Sequence, residues 1–76
     1  MNVSLNTLML AIKAIQRDIT RYEELAQREG LSDEDYDYYG QYVLDLTRAL
    51  SELGDLYRIA RESHPECPSL EELTGQ

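Results

Sequence analysis

His64 and Cys67 are the chain's only histidine and its only cysteine. They are also the only side chains whose ordinary chemistry suits a neutral-pH base, a nucleophilic thiol or a soft metal ligand. Their H-x-x-C spacing would put two ligands on one zinc ion, but a structural site takes a set of four, and no second pair exists in the sequence. Asp33, Asp35 and Asp37 alternate as at the start of a calcium loop. The pattern then fails, because Tyr38 stands where a turn glycine is needed and Leu44 where a bidentate glutamate is needed. No histidine–acid arrangement activates the thiol, and no glycine-rich phosphate loop or hydrolase triad occurs. The expectation is a protein that is not an enzyme, with no catalytic residue, no cofactor and no metal.

What remains is recognition chemistry, concentrated in the stretch Asp33-Glu34-Asp35-Tyr36-Asp37-Tyr38-Tyr39-Gly40-Gln41-Tyr42. Four of the six tyrosines lie here, and residues 23–45 carry eight acidic side chains against one arginine. A tyrosine ring is a rigid apolar surface with a polar tip, the kind of group enriched at binding hot spots. The candidate partner-binding residues are Asp33, Asp35, Asp37, Tyr38, Gln41 and Tyr42. A plainer account competes with this one, since carboxylates at a helix N-terminus complement the dipole without any partner. Tyr38 separates the two, because it lies off the helix seam and serves no core purpose there.

Composition narrows the classes further. The net charge is −8, from fifteen acidic and seven basic residues. Such a balance repels phosphates and anionic lipid heads, so direct nucleic-acid or membrane binding is not expected. Lys13, Arg17 and Arg21 form a basic stripe on the first helix, too small to reverse that conclusion. The lone cysteine excludes an internal disulfide and fits a reducing compartment. No basic leader precedes the short apolar run at Leu8–Ile12, and no segment approaches the roughly 20 apolar residues of a membrane span. A cytoplasmic location follows as the expectation.

These residues are positioned by helices. Leu5, Leu8, Ile12, Ile15, Ile19, Tyr22 and Ala26 recur at steps of three and four, predicting a first helix over about 4–29, capped by Ser4 and stopped at Gly30. Tyr36, Tyr39, Val43, Leu46, Leu50, Leu53, Tyr57 and Ala60 do the same in a second helix over about 33–64, capped by Ser32 and some 45–50 Å long at about 1.5 Å per residue. The tight break between them forces an antiparallel hairpin. Pro65 and Pro68 end the second helix, and Ser69 with Glu72 predicts a short helix over about 70–74 in the 65–76 tail. The second helix outruns the first by about two turns, so its end projects unless the tail covers it. Asp45, Arg48, Glu52, Asp55, Arg58 and Glu62 alternate in sign on its outer face, which predicts a ladder of weak ion pairs.

The fold class is thus all-α: one domain spanning 1–76, an antiparallel two-helix hairpin with a short C-terminal helical turn. Tyr42, Ala49 and Leu56 make the second helix's apolar stripe three columns wide, more than one neighbouring helix can dry. A homodimer forming a four-helix bundle resolves this, with Leu10, Leu25, Leu44, Ala49, Leu56 and Ile59 at the interface. Gly40, Thr47 and Gly54 share one helical edge and predict close packing of a neighbouring helix. The functional expectation is a small cytoplasmic interaction module, such as an adaptor, chaperone or regulatory subunit, meeting an unidentified, basic protein partner at the acidic tip. The alternatives are an acidic mimic of nucleic acid that inhibits a basic protein, and a metal or small-ligand sensor.

Overall fold

Each helix begins where a serine side chain can take over an orphaned backbone N–H. In the computed structural model, which describes residues 3–75, the Ser4, Ser32 and Ser69 hydroxyls accept from the amides of Thr7, Asp35 and Glu72. They open α1 (Leu5–Ala26), α2 (Asp33–Arg61) and α3 (Leu70–Thr74). Residues 1, 2 and 76, the ends of the expected domain and tail, lie outside the described residues. Only at Ser69 is the capping box reciprocal, with the Glu72 carboxylate accepting from the Ser69 amide. Asp35 has a side chain one methylene shorter, and Ser32 receives no such return bond.

α1 stops at Ala26, about a turn before the expected end. Gln27 turns its amide onto the carbonyls of Glu24 and Leu25, and Gly30, at φ 78°, serves the loop that follows rather than the helix end. One consequence falls on Tyr36. Expected on the seam, it is 59% exposed, because α1 ends at Ala26 and leaves Tyr36 on an open trough beside its last turn. α2 likewise ends at Arg61 and not at His64, since Pro65 has no amide to donate to the Arg61 carbonyl and holds His64, just before it, out of the helical region. His64 therefore stands beyond the last turn, with Nδ1 3.4 Å from a Glu66 carboxylate oxygen.

α1 and α2 pack antiparallel, and the fully buried side chains Ile12 and Tyr57, with Leu8, form the centre of the core. Leu5, Met9, Leu50, Leu53 and Ala60 surround them. The tail folds back over the projecting end of α2. Arg61 donates from Nε to the Cys67 carbonyl at 2.8 Å and from Nη2 to the Pro65 carbonyl at 3.3 Å. The Tyr57 hydroxyl donates to the Pro68 carbonyl. Leu70 and Leu73 then join the core, and the Gln16 side-chain amide donates to the Thr74 carbonyl, tying α3 to α1. Arg58 reaches Glu71 at 3.0 Å, and the Glu71 carboxyl is held below its usual pKa, first by its own backbone amide and then by that guanidinium.

The outer face of α2 differs from the expected ladder. Of its alternating charges only Asp55 and Arg58 approach each other, at 3.8 Å, and Asp45 instead accepts a hydrogen bond from Gln41. Exposed pairs gain little over hydration, so the long side chains are not held together.

The Cα extents are 48 × 24 × 14 Å. The shortest is about three times the roughly 4.6 Å Cα diameter of a single helix, and α3 packs against both α1 and α2 over part of the hairpin. The accessible surface is 5714 Å², against about 4,800 Å² for a folded monomer of this mass. No helix among the described residues is long and apolar enough to cross a membrane.

Candidate interaction surface

The tip of the hairpin joins the end of α1 to the first three turns of α2. Residues 36, 38, 39 and 42 point in several directions around α2 at about 100° per residue, and Tyr22 of α1 gathers two of them, Tyr39 and Tyr42. The Tyr22 ring lies 4.6 Å from that of Tyr42, edge to face, and 5.7 Å from that of Tyr39. Tyr38 packs on both Tyr39 and Tyr42, at 5.8 and 6.4 Å, the latter pair stacked. Each such pair adds about 0.5–1.5 kcal/mol beyond the area it buries, so four rings form a mutually braced platform. Tyr39 and Tyr42 are half-buried, whereas Tyr38 remains 64% exposed. Tyr38 thus lies on the platform's outer side, a rigid aromatic ring facing water. Tyr36, on the other edge, takes no part.

Asp33, Glu34, Asp35 and Asp37 are all exposed around it, and none makes an ion pair among the described residues. Their spacing along a helix spreads the carboxylates around the axis, and no group of three or more metal-ligating side chains converges among the described residues. Gln41 is exposed and engaged with Asp45. Of the six residues expected at the tip, Tyr38 and Tyr42 touch each other, and the three aspartates and Gln41 stand around them. Tyr22 was missed as a member, because its seam position in α1 reads simply as core.

The six residues expected at a dimer seam do not share one face. Leu10 is 61% exposed, and it lies roughly 180° around α1 from the Leu8–Ile12 stripe. Leu44 and Ile59 are also exposed, on the outer face of α2 and some 22 Å apart. Ala49 and Leu56 do lie together, in a column with Tyr38 and Tyr42, on the flank of α2 away from α3; Leu25 of α1 adjoins that flank. Ala49 and Leu25 are half-buried, and Leu56 is 45% exposed.

The glycine edge divides as well. Gly54 is buried, and a Cβ built there would stand 3.0 Å from Leu70 Cδ2, so the neighbour that packs on it is the chain's own α3. Gly40 is exposed and meets nothing within 4 Å. Thr47 between them is exposed and bonds its hydroxyl back to the Val43 carbonyl. No protein-family model matches this chain, and no curated protein or solved structure matches it.

Proposed function

We infer that this protein is a non-catalytic, cytoplasmic interaction module that pairs as a homodimer and presents the acidic, tyrosine-rich tip to a basic partner protein. The observation that carries the reading is Tyr38: an exposed ring, braced by Tyr39 and Tyr42, inside a segment with eight carboxylates and one arginine. A pre-ordered aromatic surface loses little side-chain entropy on binding, and unpaired carboxylates around it favour a cationic surface and speed encounter with it. Dimerisation is supported by the apolar side chains Leu56 and Ala49 left on the flank away from α3 and by a surface excess of roughly 900 Å² over the monomer norm, close to the ~800 Å² each partner gives to a standard interface.

The run of exposed carboxylates Asp33, Glu34, Asp35 and Asp37 favours a second reading, an acidic mimic that occupies a nucleic-acid-binding surface. The two differ in salt dependence. Capture of partners from lysate with the wild-type chain and with a Tyr38→Ala, Asp37→Ala variant, at low and high salt, tests both. Binding through the aromatic platform survives high salt and is lost in the variant. A mimic's binding disappears with salt in either chain. Equal capture by both chains at high salt overturns the tip as the binding surface.

A further inference from the structure

Gly54 and Gly40 lie two heptads apart on one edge of α2, within roughly 40° of each other around its axis. At Gly54 the missing side chain is filled by Leu70 of α3. At Gly40 the same vacancy is open. Glycine inside a helix costs about 1 kcal/mol against alanine, and no contact among the described residues offsets that cost at Gly40. The surface there is concave. Ala26, Tyr36, Gly40 and Val43 form an apolar trough between the end of α1 and the start of α2, and Glu23 and Gln27 lie on its rim. It lies on the flank that α3 covers farther along, where Thr47, Leu50 and Gly54 face Leu70. α3 is only five residues long and ends at the left-handed Gly75, so it cannot extend to the tip.

We propose that this trough seats a basic amphipathic helix of a partner protein, with a leucine-sized side chain on Gly40 and lysines or arginines toward Glu23 on its rim and the acidic end of the hairpin. The proposal rests on the interaction-module reading and names its partner's chemistry. Leu70 on Gly54 is the template for the apolar contact: a branched side chain seated where α2 carries no Cβ. The charge differs from that template. α3 carries Glu71 and Glu72, and a second acidic helix of that kind would meet residues 23–45, which hold eight acids and one arginine. A cationic helix is the complement. The competing occupant is the Lys13–Arg17–Arg21 stripe of a second copy.

The test is an amide-shift titration of the full chain with a synthetic leucine–lysine amphipathic helix, beside its leucine–glutamate counterpart. The proposal expects saturable shifts at Gly40, Val43 and Ala26 with the lysine peptide only. It also expects affinity to fall by about tenfold or more in Gly40→Leu, whose own melting temperature does not drop because the space is open. Glu23→Lys, an exposed change, is expected to weaken binding in the same direction and serves if Gly40→Leu fails to fold. Shifts confined to Tyr38 and Tyr42, indifferent to these substitutions, overturn the trough while leaving the aromatic tip standing. No binding of the lysine peptide overturns the trough, and the aromatic tip is then judged by the capture experiment alone. Shifts at Gly40 that follow the protein's own concentration without peptide place a second copy there and overturn the proposal.

Discussion

The Tyr57 hydroxyl donates a hydrogen bond of 2.6 Å to the Pro68 carbonyl, joining the fully buried ring at the centre of the core to the connector that brings α3 back. One side chain therefore serves both the α1–α2 seam and the closure of the tail. Tyr57→Phe keeps the ring and leaves the carbonyl unpaired, at a cost of about 1–3 kcal/mol. The expected outcome is a melting temperature lower by roughly 4–8 °C per kcal/mol in thermal unfolding. An unchanged transition would mean that water replaces the bond without loss.

The same residue makes a testable contribution to stability at alkaline pH. Burial, followed by electrostatic interaction with nearby Cys67, pushes the Tyr57 pKa above its ordinary value of 10.0. A group whose folded pKa is raised binds its proton more tightly in the native state. Its stabilisation is complete below the unfolded value of about 10 and is lost as pH climbs through the higher folded value. Stability should thus fall above about pH 10 in parallel with a late tyrosinate transition, and Tyr57→Phe should lessen that fall. Parallel alkaline curves for the two proteins would assign the loss to other groups.

Two glycines on one helix edge should answer substitution in opposite ways. Gly40→Ala adds a methyl into open space and removes backbone freedom from the unfolded chain, so it should stabilise by about 0.4–1 kcal/mol. Gly54→Leu drives a side chain into Leu70 and should lift α3 from α2, destabilising by about 1–3 kcal/mol. Chemical denaturation reads both, and hydrogen exchange at the Leu73 amide reads the lifting of α3. A destabilising Gly40→Ala would indicate a contact at that edge that the native chain already makes.

The helices, their serine caps and the antiparallel turn were legible because period and capping chemistry are local. The α3 span was legible for the same reason, from Ser69 and Glu72. The tail's course was not, since it depends on Tyr57 and Arg61 meeting carbonyls of Pro68, Cys67 and Pro65, pairings that leave no periodic trace. The same loss of information explains Gly54. Its close packing followed from the cost of a helical glycine, but whether α3 or another molecule supplied the contact could not be read from spacing. At the tip, the tyrosines were conspicuous, whereas the brace from Tyr22 depends on α1 and α2 lying in one particular register. The dimer-seam residues followed from an apolar stripe wider than one neighbour can cover, and stripe width does not say which flank the chain's own α3 already covers.

Flank is what the last prediction turns on. α3 covers the Gly54 edge of α2, so the opposite flank, at Ala49 and Leu56 beyond the tip, is the apolar surface left beside the core. A second hairpin laid there would make a two-layer bundle and cover Leu56, while Leu10, on the far side of α1, would stay wet. Leu56→Arg should therefore convert a dimeric sedimentation mass to the monomer at micromolar concentration, with a melting temperature that no longer rises with protein concentration. Leu10→Arg should leave both unchanged. Reversed responses would move the seam to the outer face of α1, where Lys13, Arg17 and Arg21 make it a charged contact and therefore salt-sensitive. A wild-type chain that sediments as a monomer, with a cooperative transition independent of its concentration, would remove the dimer altogether.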